Sequence, residues 1–252
     1  MLELEHLTLG YGERILLDNV SARFSAGQLV ALLGRNGSGK STLLRAVSGL
    51  GRILKGSIRL AGRELQTLPP DKLATIVATV TTERVRIANL YCEDVVALGR
   101  APYTNWIGRM QAEDARIVAR SLGLVGMGSF ARKTMDQMSD GECQRVMIAR
   151  ALAQDTPIIL LDEPTAFLDL PNRYELGALL RRLAHDEQKC ILFSTHDLDI
   201  ALTLCDAIAL IDTPHLHVLP TAEMARSGHI ERLFRNDSVS FDATTGTVRL
   251  KQ

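Results

Sequence analysis

Apolar residues alternate with acids at the start of the chain, Leu2 and Leu4 with Glu3 and Glu5. After a phase break at His6 the pattern resumes at Leu7 and Leu9, and a turn at Gly10–Gly12 leads to Ile15–Leu17. Such alternation predicts antiparallel strands with one buried face. Leu29–Leu33 is apolar throughout, which predicts a strand covered on both faces. A Gly-rich loop follows at once, then a helix with Leu43, Leu44 and Val47 on its apolar side and Gly49 at its close. Gly56–Leu65 reads as a short hairpin turning at Ala61–Gly62, and Val77–Val80 as a further strand.

From about Glu83 to Gln154 the texture turns helical. Ala115, Val118, Ala119 and Leu122 fall at i, i+3, i+4 and i+7, with Glu113 and Asp114 in the first turn. Strand-like runs return at Ile158–Leu161, Ile191–Ser194 and Ala207–Ile211. Between the first two lies a helix with Leu176, Leu179, Leu180 and Leu183 on one face and Pro171 near its start. The tail, Val239–Leu250, reads as a hairpin around Thr245–Gly246. Strands alternating with helices predict an α/β fold with a mostly parallel sheet. To it are added an antiparallel β part at the N-terminus and an inserted helical lobe. The expected organisation is one domain over 1–252, with a core of 1–82 and 155–252 and a helical lobe of 83–154.

Lys plus Arg and Asp plus Glu both number 29. A zero balance argues against a general nucleic-acid binder, which carries a basic excess. The acidic, alternating N-terminus lacks the basic start and apolar run of a signal peptide. No apolar stretch approaches the roughly 20 residues that cross a bilayer, so any membrane work would need a spanning partner. Cys92, Cys143, Cys190 and Cys205 form no C-x-x-C pair and read as free thiols in a reducing compartment.

The chemistry concentrates in two places. Residues 34–41, G-R-N-G-S-G-K-S, fit G-x-x-x-x-G-K-[ST] at every fixed position, between a strand and a helix. This phosphate-binding loop marks a P-loop NTPase core. Gly34, Gly37 and Gly39 let the backbone approach a triphosphate, with Arg35, Asn36 and Ser38 completing the loop. Lys40 reaches the β- and γ-phosphates, Ser41 offers a hydroxyl to Mg²⁺, and Thr42 can touch the α-phosphate. The following helix turns its positive end toward the same anion.

The second place is the end of Ile158–Leu161, which runs into Asp162–Glu163–Pro164. Carboxylates there stand at the sheet's ligand-binding edge. Asp162 is placed to bind Mg²⁺ and Glu163 to polarise an attacking water. His196, just past the next strand, is a candidate to contact the γ-phosphate. His6, His185, His215, His217 and His229 read as structural or surface residues, and the His215–His217 pair lacks the neighbours a metal site needs.

Met138–Glu142, M-S-D-G-E, followed by an expected helix Cys143–Gln154 with the continuation Q-R-V-M-I-A-R-A-L, resembles the L-S-G-G-Q signature of ABC ATPases. The resemblance runs from the N-terminus to about Ile211. It implies an ATP-binding and ATP-hydrolysing subunit that works as a homodimer. Ser139, Gly141 and Glu142 of one copy would meet the γ-phosphate held by the other. It also implies that Tyr11 stacks on adenine and that Asp169, in T-A-F-L-D, couples the two subunits. A soluble ABC ATPase outside transport, or a cassette for another cargo, stays open. A P-loop kinase would not need Ser139–Glu142.

The chain departs from the family pattern, among other places, at Thr82, Asp140 and Cys143. The family's Mg²⁺-touching Gln falls at Thr82, too short for the same reach, so that Glu83 or a water would substitute. Asp140 replaces a Gly and Cys143 an Arg, and nothing in the sequence marks Cys143 as an acidified thiol. Val95–Arg109 resembles the ATPases of bacterial importers for iron–siderophore complexes, haem and cobalamin. That likeness implies integral-membrane permease partners, an external substrate-binding protein, and a peripheral place on the cytoplasmic side of the cell (inner) membrane. Tyr103 and Trp106 are then candidate anchors for the permease or, alternatively, residues of the lobe's core.

Overall fold

The computed structural model describes residues 1–82, 89–104, 110–166 and 168–234, together with the backbone of strands 239–242 and 247–250. Two strands open the chain, β1 (Leu2–Tyr11) and β2 (Arg14–Phe24), paired antiparallel. The first strand runs on through Gly10 to Tyr11, so the turn is tighter than the glycines suggest. The register shifts between Leu4 and Leu7, and His6 takes a left-handed φ of 50°. This irregularity returns both halves of the leucine alternation to one buried face. Strand β3 (Gln28–Gly34) leads through the phosphate-type loop into α1 (Lys40–Val47). Strands β4 (Lys55–Leu60) and β5 (Arg63–Glu64) form the expected hairpin, and the first sheet runs β2-β1-β4-β5. One turn of helix, α2 (Pro70–Leu73), precedes β6 (Val77–Val80).

Helices α3 (Cys92–Ala97), α4 (Ala112–Leu124) and α5 (Asp140–Ala153) pack against one another as a lobe. The last begins earlier than the apolar pattern indicates, because Ser139 caps it. Arg100 and Asp114 lock the lobe from within. They meet at 2.8 Å, both buried, and Arg100 also donates to the Ala153 carbonyl at 2.8 Å. The guanidinium lies over the Tyr103 ring, 4.0 Å from its centroid. The Tyr103 hydroxyl donates to the Gln154 carbonyl, while the ring is partly exposed. Trp106 and Glu83 lie outside the described residues.

The chain then alternates β7 (Ile158–Leu161), α6 (Leu170–Asp186), β8 (Cys190–Ser194), α7 (Leu198–Leu204) and β9 (Ala207–Asp212). It ends with β10 (His215–Pro220), α8 (Thr221–Arg226), α9 (His229–Phe234), β11 (Val239–Asp242) and β12 (Thr247–Leu250). The last two strands pair antiparallel, and the turn expected at Thr245–Gly246 lies outside the described residues. The main sheet runs β10-β9-β3-β8-β7-β6, parallel except for β10 at its edge. Pattern alone does not announce β10, because its sequence H-L-H-V-L-P is only half buried on an edge.

The unbroken apolar runs now have a cause. Leu29, Ala31, Leu33, Ile159, Leu161, Ile191 and Phe193 face one core that includes α5, α6 and α7. Val30, Leu32, Ile158, Leu160 and Leu192 face a second core shared with α1 and the first sheet. The central strands are therefore apolar on both faces along Leu29–Leu33, Ile158–Leu161 and Ile191–Phe193. All four cysteines are buried and none is in a disulfide, and burial pushes the Cys190 thiol up to about 12.

Candidate active site

The strand order places the carboxyl ends of β3, β8, β7 and β6 side by side. Leu32 pairs with Ser194, Leu161 with Phe193 and Val80 with Leu161. The Gly34 loop, His196, Asp162–Glu163 and Thr82 thus gather along one edge, although they lie far apart in sequence. Ligands bind at this edge in doubly wound sheets.

The loop is preformed. Gly39 sits at φ 108° before α1, where a side chain would be strained, and a Cβ on Gly34 would fall 2.5 Å from Ser38 Oγ. Helix α1 has no side-chain cap and no acid in its first turn. Its leading N–H groups therefore remain available to an anion. Lys40 is only 6% exposed and curls over the loop, donating to the carbonyls of Gly34 at 3.0 Å and Arg35 at 3.4 Å. Ser38 Oγ is buried with no hydrogen-bond partner among the described residues. A cation folded on the loop and an unsatisfied hydroxyl suit a site built for phosphate.

A cleft of about 540 Å³ is lined by Tyr11, Asn36, Gly37, Gly39, Lys40, Ser41, Thr42 and Glu163. Tyr11 is 60% exposed, and its hydroxyl lies 3.1 Å from Thr42 Oγ1, which leaves the ring face free to stack. Arg14, which sequence reasoning passed over, also lines this cleft and reaches the Gly37 carbonyl at 3.3 Å. A second cleft of about 560 Å³ adjoins it and is lined by Ser41, Arg45, Thr79–Thr82 and Asp162. Ser41 belongs to both.

Ser41 and Asp162 bring a hydroxyl and a carboxylate to one cleft, the oxygen donors that Mg²⁺ takes. Thr82 shares the cleft, but its hydroxyl donates to the Asp162 main-chain carbonyl at 3.0 Å. His196 Nδ1 is 3.9 Å from Glu163 Oε2, with its ring largely exposed. Glu163 takes a left-handed φ of 45°.

The signature segment is held separately. Ser139 and Glu142 form a capping box at the start of α5. Ser139 N donates to Glu142 Oε2 at 2.8 Å, and Glu142 N donates to Ser139 Oγ at 3.3 Å. The Glu142 carboxylate is thereby turned back on its own helix end, and its pKa falls because the Ser139 main-chain N–H bonds the anion. Neither cleft has Ser139, Gly141 or Glu142 in its walls. Asp169 caps α6, accepting from Asn172 N at 3.1 Å.

Comparison with known proteins shows the family. Residues 17–166 match the family model described as ABC transporter. The ABC transporter ATP-binding protein MJ0873 of Methanocaldococcus jannaschii is 41% identical over 211 residues, 84% of this chain and 73% of its own. The petrobactin import ATP-binding protein FpuD of Bacillus anthracis is 34% identical over 248 residues, 98% of this chain and 91% of its own. A dimeric post-hydrolysis structure of the ATP-binding cassette MJ0796, bound to ADP and Pi, superposes with a TM-score of 0.73 at 28% identity, covering 88% of this chain and 99% of that one. With its phosphate loop, acidic strand end and capped signature helix on the predicted elements, this chain belongs to the ABC transporter family of ATP-binding proteins.

Proposed function

We propose that two copies of this chain clamp two ATP molecules between them and hydrolyse them to drive import through separate permease subunits. The observation that carries the reading is the split of the machinery. The loop at Gly34–Thr42, Asp162 and Glu163 share one sheet edge, whereas the Ser139–Gly141 helix end stands outside both clefts. A helix N-terminus that bears a serine and is closed only by its own Glu142 suits an anion held by a neighbour.

In this reading Tyr11 stacks on the adenine ring and the Gly34–Ser38 backbone wraps the phosphates. Lys40 leaves its carbonyl partners for the β- and γ-phosphates. Ser41 and Asp162 hold Mg²⁺, which when bound offsets charge on the phosphate oxygens. Glu163 takes a proton from the attacking water, and His196 holds the γ-phosphate side of that geometry. Asp169 reports closure between subunits. Loss of the γ-phosphate removes the link to the partner's Ser139 helix end, so the dimer opens.

The cargo class we infer is a metal chelate or corrinoid: an iron–siderophore complex, haem or cobalamin. The support is the Val95–Arg109 sequence pattern and the likeness, over 98% of this chain, to a petrobactin import protein. Such a chain would sit peripherally on the cytoplasmic side of the membrane and take cargo through a permease fed by a substrate-binding protein. No helix among the described residues is long and apolar enough to cross a membrane. Co-purification from detergent-solubilised membranes is the test. Recovery of a polytopic permease beside an iron- or cobalamin-uptake locus supports the reading, whereas recovery with ribosomes or nucleic acid overturns it.

A further inference from the structure

Ser194 ends β8 and is fully buried. A serine hydroxyl donates once and can accept twice, and this one does both toward adjacent residues of another strand. It donates to Asp162 Oδ1 at 2.6 Å and accepts the main-chain N–H of Glu163 at 2.8 Å. On the far side, Thr82 Oγ1 donates to the Asp162 carbonyl at 3.0 Å. The end of β7 is therefore gripped from both neighbouring strands.

The grip matters because of the backbone it holds. Glu163 is a non-glycine residue at φ 45°, a conformation that costs about 1–2 kcal/mol for an L-residue with a side chain. Such a conformation persists only when the surroundings over-determine it. The Ser194 hydroxyl meets the Glu163 amide and keeps that strained turn. With the same atom it fixes the carboxylate of Asp162.

We infer that Ser194 is a positioning residue for ATP hydrolysis, tying the metal-side carboxylate of Asp162 and the water-side carboxylate of Glu163 into one rigid unit. The inference rests on the ATPase reading proposed above. Ser194 touches neither substrate nor the reacting water. It acts by keeping the two acids in fixed relation, so that both reach the phosphate edge together.

The test compares Ser194→Ala, Ser194→Thr and Ser194→Cys in the full-length chain. Read-outs are steady-state hydrolysis of Mg-ATP, equilibrium ATP binding with and without Mg²⁺, and thermal unfolding. The expected result for Ser194→Ala is a fall in kcat of about 10–100-fold, the range for lost outer-shell support, with KM for ATP nearly unchanged. The strengthening of ATP binding by Mg²⁺ shrinks in the same variant, and Ser194→Thr restores most of both. If Ser194→Ala does not fold, Ser194→Cys carries the test: kcat below wild type with intact Mg-free binding supports the inference. Wild-type kcat and wild-type Mg²⁺ response in the Ala or Cys variant overturns it, as does a kcat loss that Thr fails to rescue and that follows ATP binding and unfolding alike. A wild-type chain that binds ATP and never releases phosphate overturns the ATPase reading itself, a result separable from the others.

Discussion

Glu142 returns its carboxylate to the main-chain N–H of Ser139, 2.8 Å away, and so closes the start of α5. Where the family's signature carries a neutral Gln, this chain has an acid, which would repel a γ-phosphate if it pointed outward. Capping turns that charge inward, with the Ser139 hydroxyl itself donating to Glu142 Oε2 at 2.9 Å, and keeps Ser139 and the Gly141 backbone at the helix end. Ser139→Ala is expected to lower stability by about 1 kcal/mol, the usual value of an N-cap. It should also abolish cooperative hydrolysis while leaving ATP binding to the isolated chain intact. Denaturant unfolding beside nucleotide binding and phosphate release separates the two effects, and a variant with wild-type turnover counts against the clamp.

Glu163→Gln keeps the shape of the acid and removes its basicity. Turnover should fall by at least about 100-fold, the scale of a lost general base, and Mg-ATP should trap a stable dimer. Light scattering behind size exclusion reads the outcome. Normal hydrolysis in this variant removes Glu163 from the base role.

Thr82 stands where the family has a longer, metal-reaching amide, and its hydroxyl is directed at the Asp162 carbonyl. Thr82→Gln should raise basal ATP turnover by restoring that reach. Turnover that stays level or drops would show that the Thr82–Asp162 bond matters more here than the missing amide.

The Arg100–Asp114 pair holds the helical lobe together from within. The Asp114 carboxyl is held below the usual carboxylate range, first by the main-chain N–H of Gln111 and then by Arg100. A depressed pKa adds stability that is full above the unfolded value of about 4 and is lost as pH falls through the folded one. Asp114→Ala should cost about 3–5 kcal/mol, because it leaves Arg100 buried without its anion. It should also flatten the acid limb of the stability curve. Urea titrations between pH 3 and pH 7, values spanning that transition, measure both, and an unchanged acid limb would contradict the assignment.

The readable parts of the site are those whose chemistry is contiguous. The loop at Gly34–Ser41 and the acids at Asp162–Glu163 each announce themselves within a few residues, and the runs that lead into them, Leu29–Leu33 and Ile158–Leu161, are apolar throughout. The S-x-x-E spacing of Ser139 and Glu142 is a capping signal that the apolar pattern passed over, and it explains why α5 starts at Asp140. Arg14 gave no such signal. It enters the nucleotide cleft only because β2 folds back on β1 and brings it to Gly37.

The order of apolar and polar residues was enough to specify the alternating strands and helices, the phosphate loop and the family. These rest on local periodicity and on short motifs whose parts are neighbours in the chain. Tertiary structure alone decided that Ser194 would bind both acids of another strand, that Arg100 would find Asp114, and that Thr82 would turn to a main-chain carbonyl. Each is a contact between distant residues, fixed by strand order and register, and such contacts leave no periodic trace in a single chain.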